Sequence, residues 1–423
     1  MTDTADHRPR GLAAYAAVTA AYWAFMLTDG ALRMLVLLHF HTLGFTPIQL
    51  AYLFLLYEFM GMVTNLSAGW IAARFGLTST LYAGLGLQIA ALLALAALDP
   101  GWTIAVSVVF VMLVQGASGV AKDLAKMSSK SAVKILAPEQ DGGLFRWVAA
   151  LTGSKNAVKG LGFLLGAALL GAVGFASAVL AMAAVLAVIL IAIAIFMPSG
   201  LPRGKKGAKF SDVFSKDRNV NGLSAARLFL FGARDVWFVV GIPIYFYSVL
   251  SDGTEAGNRA AFFQIGTFMA LWIIGYGAVQ GFAPNLLRAR DKSVAQITRM
   301  GILWAGLLSL IPLALAGAAL ASTGPAPWLT ATLIGGLLLF GAVFALNSSI
   351  HSYLILAFTR AERVTMDVGF YYMSNAAGRL VGTLLSGVSY QVGGLPLCLG
   401  TAGAMALASW LLIARLGRHS TPA

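Results

Sequence analysis

The chain has 423 residues, of which 59% are hydrophobic and 11% charged, with a mean hydropathy of +0.82. A soluble domain carries about 25% charged residues, so a water-facing globule is excluded, and with it soluble enzymes, secreted disulfide scaffolds and nucleic-acid binders. The balance of 29 Lys and Arg against 16 Asp and Glu, net +13, therefore belongs to an all-α polytopic membrane protein, with cations divided between its loops and its apolar spans.

Runs of roughly 20 apolar residues, each able to cross a ~30 Å hydrocarbon core, recur along the whole chain. They predict twelve helices at about 12–41, 46–73, 78–98, 102–136, 143–172, 175–197, 221–250, 258–285, 293–321, 327–358, 363–391 and 395–416. The polar start Met1 to Arg10 is followed by an apolar run too long for a signal peptide, so the first span is expected to be uncleaved. Loops on one side hold Arg8, Arg10, Arg74, Arg203, Lys205, Lys206, Lys209, Lys216, Arg218, Arg288, Arg290, Lys292, Arg360, Arg363, Arg415 and Arg418, and the opposite loops little beyond Arg259. The positive-inside rule makes the first side, and both termini, cytoplasmic.

In chain order, the first span carries Asp29 and Arg33, four residues apart and able to pair. The second carries Glu58 and Asn65. The fourth ends in Lys122, Lys126, Lys130 and Lys134, a stripe at four-residue spacing. A solvated cytoplasmic extension suits Lys130 and Lys134, while Lys122 and Lys126 could line an inner vestibule and funnel anions. In the fifth, Lys155 and Lys159 share a face near mid-span beside Asn156. An ammonium there costs several kcal/mol against lipid, so it must meet a wet cavity, an anion or a buried carboxylate. Trp23, Trp147, Trp237 and Trp272 read as packing or interface residues, and His39 and His41 as interfacial.

The polar stretch from Pro198 divides the chain into a bundle at 1–197, a basic linker at 198–220 and a bundle at 221–423. The seventh span holds Arg227, Arg234 and Asp235, with Arg227 expected within pairing reach of Asp235. Asn347 and His351 lie inside the tenth span, and Asp367 and Arg379 in the eleventh. The asparagines could hydrogen-bond a ligand or bridge helices. A shift of 220 residues aligns Ser154, Ala157, Gly162, Leu164 and Leu165 with Ser374, Ala377, Gly382, Leu384 and Leu385, and Lys159 with Arg379. The spacings Gly162/Gly166 and Gly378/Gly382 are expected to form close, rocking helix surfaces.

The mid-membrane cations Arg33, Lys155, Lys159, Arg227, Arg234 and Arg379, six in all, exceed the four acids Asp29, Glu58, Asp235 and Asp367. The surplus suits an anion: arginine's fork fits phosphate-like oxygens and lysine adds point charge. Asp29, Glu58 and Asp235 are candidates for proton coupling. Cys398 stands alone and the five histidines are scattered, so neither a disulfide nor a metal or other cofactor is expected. A membrane-embedded lipid enzyme would need a nucleophile or metal constellation that the sequence does not display. A drug exporter would have to admit lipophilic cations past many buried positive charges.

Six plus six helices around a basic linker resembles the major facilitator superfamily. Gly69-Trp-Ile-Ala-Ala-Arg74-Phe-Gly76 is similar to its cytoplasmic loop, with Ala73 in place of the usual acid. More narrowly, Tyr22-Trp-Ala-Phe-Met-Leu-Thr-Asp-Gly-Ala-Leu-Arg-Met-Leu35, Tyr57-Glu-Phe-Met-Gly-Met-Val-Thr-Asn65, Ala121-Lys-Asp-Leu-Ala-Lys-Met127, Leu151-Thr-Gly-Ser-Lys-Asn156 and Leu223-Ser-Ala-Ala-Arg-Leu-Phe-Leu-Phe-Gly-Ala-Arg-Asp-Val-Trp237 resemble the organoarsenical efflux permeases called ArsJ. That resemblance implies export, across a bacterial inner membrane, of an arseno-phosphoglycerate supplied by a glyceraldehyde-phosphate dehydrogenase, giving arsenate resistance. The alternative is an organophosphate or phosphate antiporter. In the arsenical reading, Lys155, Lys159 and Arg33 are expected at one end of the cargo and Arg234, Arg227 and Arg379 at the other.

Overall fold

The structure, a computed structural model, describes residues 8–136, 143–196, 215–288, 292–359 and 364–419, with side chains left aside at 8–16, 68–70, 72–74, 77, 130–136, 143–153, 196, 364–366 and 417–419. Most of the linker, the side chains of Lys130, Lys134 and Trp147, and several loop cations fall outside the described residues. Among those described, the chain is all helical: α1 Arg8–Thr42, α2 Pro47–Ala96, α3 Ile104–Leu136, α4 Gly143–Val173, α5 Phe175–Phe196, α6 Arg218–Val236, α7 Ile242–Leu250, α8 Glu255–Leu286, α9 Val294–Ala321, α10 Pro327–Phe358 and α11 Val364–His419.

Local sequence sets these boundaries. Thr46 accepts from Gln49 N–H while the Gln49 side chain accepts from Thr46 N–H, a reciprocal cap, and Pro47 opens α2 where no N–H is needed. Two expected spans run together in α2, which turns at Gly76 (φ 75°), and two more in α11, which breaks at Gly393 and Gly394 (φ 60°). Only glycine adopts a positive φ without steric cost, so the helix can bend there without a loop. Asp217 caps α6 by accepting from Asn219 and Val220 N–H, so the seventh span starts at Arg218 rather than 221. Between α6 and α7 the helix widens into a π turn, Trp237–Gly241. Pro243 just beyond it has no N–H to return to Val239, and Val240 and Gly241 donate instead to the Ser386 hydroxyl of α11.

Among the described residues, eleven segments are long and apolar enough to cross a membrane, and the break at Gly393 and Gly394 divides the last, Asp367–Leu416, into two limbs. This recovers the twelve expected spans. Val188, Ile195, Leu320 and Val392 lie exposed on the outside, as lipid-facing side chains would. Trp237 and Trp272 are buried edge to face, 5.2 Å between ring centroids, and Trp272 Nε1 donates to the Leu337 carbonyl.

The glycine pairs act differently from expectation. Gly162 and Gly166 seat α4 against α1, where a Cβ would stand 2.4 Å from the Leu27 carbonyl oxygen and 2.1 Å from that of Ala31. Gly378 and Gly382 seat α11 against α6, where the distances are 2.0 Å to Leu228 O and 2.6 Å to Gly232 O. Both crossings join helices within the first or the last six limbs, so they are fixed seams rather than sliding surfaces. Contacts between the two sets run through α4 on α8, where Asn156 meets Gly277, and α2 on α11, where Gly387 meets Pro47 and Ala51.

A Gly166→Val substitution should destabilise the α1–α4 seam by about 1–3 kcal/mol or more, because backbone cannot move aside as a side-chain tip can. Gly275→Ala, at a position open to 4 Å, should be neutral or mildly stabilising. Thermal melts of the detergent-solubilised variants check both.

Candidate functional site: a buried ion network

Near the middle of the bundle the charged side chains gather on buried carboxylates. Asp29 (α1) accepts from Lys159 Nζ of α4 at 2.8 Å and from the Tyr57 hydroxyl of α2 at 2.6 Å. Glu58 (α2) accepts on one oxygen from Arg33 of α1 at 3.1 Å and from Arg379 of α11 at 2.6 Å. Its other oxygen is buried with no hydrogen-bond partner among the described residues. Asp235 (α6) takes Arg234 on one oxygen and Arg379 Nε on the other, the latter at 3.3 Å. Arg379 thus holds carboxylates from both the first and the last six limbs.

These contacts correct the sequence-based pairings. Asp29 does not pair with its helix neighbour Arg33; Lys159 takes it, and Arg33 turns to Glu58 while lying 5.1 Å from the Phe54 ring centroid. Asp235 pairs with Arg234 and Arg379, not with Arg227. At least four of the six mid-span cations, Arg33, Lys159, Arg234 and Arg379, are therefore ion-paired rather than waiting for a ligand. Asp367 sits apart, accepting from Thr359. Arg33 and Arg379 share one carboxylate, so they do not stand at opposite ends of a cavity.

A surplus of positive charge nevertheless remains. Lys122, expected near the interface, is buried, its Nζ 4.2 Å from the Tyr57 ring centroid with no carboxylate in contact among the described residues. Arg33, Lys122, Lys159, Arg234 and Arg379, five cations, face Asp29, Glu58 and Asp235, three carboxylates. A recess of about 10 Å³, room for about one water molecule, opens beside them, lined by Asp29, Arg33, Phe54, Tyr57 and Gln115. Small-molecule sites occupy about 300–1,000 Å³, so a ligand would have to part some of these pairs.

One turn further along α3, Lys126 donates to Asn65 Oδ1 at 2.8 Å, contacts Asp123 at 3.5 Å and lies 5.5 Å from the Tyr372 ring of α11. Thr64 and Asn65 also donate to Asp123. Asn156 donates to Gln280 of α8 at 3.4 Å, and Lys155 stands one turn from Lys159, partly buried. Arg227 and Asn347 are buried on α6 and α10, outside the ion network. Sequence reasoning missed Tyr57, Gln280, Ser348, Tyr371 and Tyr372: polar tips on otherwise apolar helix faces, which only packing across helices reveals.

The chain shares its fold with solved nucleoside and POT family transporters. The chain is similar to the nucleoside transporter NupG (TM-score 0.70, 16% identity, covering 96% of this chain and 100% of that one). It is also similar to a POT family transporter in complex with a thioalcohol-conjugated peptide (TM-score 0.71, 15% identity, 97% of each chain). A POT family transporter in complex with 5-aminolevulinic acid gives a TM-score of 0.68 at 16% identity over 97% of each chain. No protein-family model matches the sequence, and no curated protein matches it. At these identities the likeness establishes the fold.

Because Glu58 and Arg379 join different helix sets in a dry surround, Glu58→Gln and Arg379→Gln should each destabilise the protein, and the double variant should lose less than their sum. The coupling in a double-mutant cycle of denaturant or thermal unfolding is expected at roughly 0.5–3 kcal/mol.

Proposed function

We propose that the chain is a secondary transporter of a bacterial inner membrane, with an arseno-phosphoglycerate as cargo, exporting it by alternating access and so giving arsenate resistance. In this reading the halves 1–197 and 221–423, joined by the cytoplasmic linker 198–220, rock about the ion network. The observation that carries the reading is the buried surplus of five cations over three carboxylates beneath a recess too small for a ligand. A multiply charged anion supplies the missing negative charge. It takes Arg379, Arg33 and Lys159 from their carboxylates, with Lys122 and Arg234 completing the cradle, and Lys126, Lys155, Asn65 and Asn156 lie along its approach. The strings similar to ArsJ select the arsenate ester among such anions, and a glyceraldehyde-phosphate dehydrogenase would supply it.

The ion pairs also set the sense of proton coupling. A carboxylate that loses its cation in an apolar surround binds a proton more readily. Anion binding at Arg379 or Lys159 therefore favours protonation of Glu58 or Asp29, and linkage is reciprocal. Exchange of the anion for protons needs the opposite sign. Export then draws on the inside-negative potential, worth ~2.3 kcal/mol per charge per 100 mV, or on exchange for another anion. The same linkage favours a second reading, organophosphate transport in which protons accompany the anion. Competition of flux by glycerol phosphate, phosphoglycerate and the arsenate ester separates the two.

Lys159→Gln and Arg234→Gln should each abolish arsenate resistance in a sensitive host while the protein remains in the membrane; full resistance in both removes these residues from the site. In everted vesicles, uptake of the labelled ester should be unchanged or slowed by an acid lumen, whereas acceleration establishes proton antiport.

A further inference from the structure

Arg227 is buried, yet among the described residues no carboxylate lies against it. Its Nη1 donates to the Ser348 carbonyl and to the Ser348 hydroxyl, both at 3.1 Å, and its guanidinium lies against the rings of Phe231 (4.1 Å) and Tyr371 (5.0 Å). Among the described residues its buried Nε has no hydrogen-bond partner, nor has either ring nitrogen of His351 or the Oδ1 of Asn347. His351 follows Ser348 by three residues on α10, hence on the same side of the helix. Gln280 donates to the Ser348 hydroxyl at 3.3 Å, closing the cluster toward Asn156 of α4. A buried cation without an anion is strongly unfavourable, and unpaired polar atoms beside it add to the cost.

We infer that Arg227, Ser348 and His351 form a second oxyanion-binding station, distinct from the ion network and holding one phosphate- or carboxylate-type group. Arg227 and Arg234 lie seven residues apart on α6, about 10 Å along the axis, and the Phe231 ring stands between their guanidiniums at 4.1 and 5.0 Å. The two stations are therefore separated by an aromatic wall, not merged into one arginine cluster. An oxyanion here would neutralise Arg227, accept from its free Nε and from the Ser348 hydroxyl, and face the unpartnered His351 ring. The assignment does not rest on an arsenical cargo or on transport. The group comes either from the far end of a two-headed anion whose other end occupies the ion network, or from free inorganic phosphate.

The test is the thermal stability of purified full-length protein titrated with inorganic phosphate and with phosphoglycerate. Wild-type protein should show a saturable rise in melting temperature. Arg227→Met should weaken the apparent affinity about 10- to 100-fold, the equivalent of a lost charge-assisted contact, while melting no lower without ligand, because an unpaired buried charge has been removed. Ser348→Ala, a small deletion that leaves Arg227 in place, should weaken it severalfold. Arg379→Gln separates the sources. If it weakens phosphoglycerate but not phosphate, the station holds one head of a larger anion; if it weakens neither, the station is a phosphate site in its own right. Absence of any saturable shift in the wild type, or unchanged affinity in both Arg227→Met and Ser348→Ala, overturns the assignment, and neither result bears on the arsenate-resistance assay.

Discussion

The structure turns on the cost of placing charge in a dry helical bundle. An isolated ion in a low-dielectric interior is unfavourable by several kcal/mol, so each cation must find an anion, a π face or a set of dipoles. Glu58 is where this requirement is met most economically, because one carboxylate serves Arg33 and Arg379 together. It comes from α2, Arg33 from α1 and Arg379 from α11, so a single side chain fixes the relation of three helices. Cations left over fall back on rings: Lys122 on Tyr57, Arg227 on Phe231 and Tyr371. Such contacts give part of what a carboxylate would give.

The same arrangement is built twice. In α1 and α4, Asp29 meets Lys159 beside the seam of Gly30 and Gly162. In α6 and α11, Asp235 meets Arg379 beside the seam of Gly232 and Gly382. Gly162 follows Lys159 by three residues, and Gly382 follows Arg379 by three. Asp29 precedes its glycine by one residue and Asp235 follows its own by three, a difference of one helical turn on one face. Close backbone approach at the glycine brings the two helices near enough for a short Asp to reach a cation on its neighbour. The seam and the ion pair are thus one structural unit, and the repeat in sequence reflects a repeat in packing.

Span number and the identity of the buried charges were legible in the sequence because hydropathy is a one-dimensional property. Asp29, Arg33, Glu58, Lys159, Arg234, Asp235 and Arg379 announce themselves as charge within apolar runs, and the structure brings all seven together. Partner choice was not legible. Four-residue spacing on α1 favours Asp29 with Arg33, a rule that holds on isolated helices, but in the bundle Lys159 and Glu58 approach from other helices and win both. Gly162 and Gly378 were recognisable as small residues, yet which neighbour they admit depends on the order of helices in space. Lys122 read as an interfacial lysine because its stripe continues to Lys134. Only the packing of α3 on α2 turns its end beneath Tyr57. Tyr57, Ser348 and Gln280 carry no pattern of their own and acquire meaning from what lies opposite.

Arg379 shows how recognition and movement would become a single event in such a transporter. It is the residue that joins Glu58 from the first six limbs to Asp235 from the last six. An anion that binds its guanidinium must compete with Glu58 and so loosens the contact between the sets; it need not transmit a signal to a distant gate. A ligand shifts a conformational equilibrium only by the difference in its affinity for the two states, and in the proposed reading that difference would be supplied at the contact itself. An uncharged molecule of the same size would have no means of displacing Glu58. In the proposed reading, discrimination by charge and the capacity to trigger rearrangement would follow from the same buried bond.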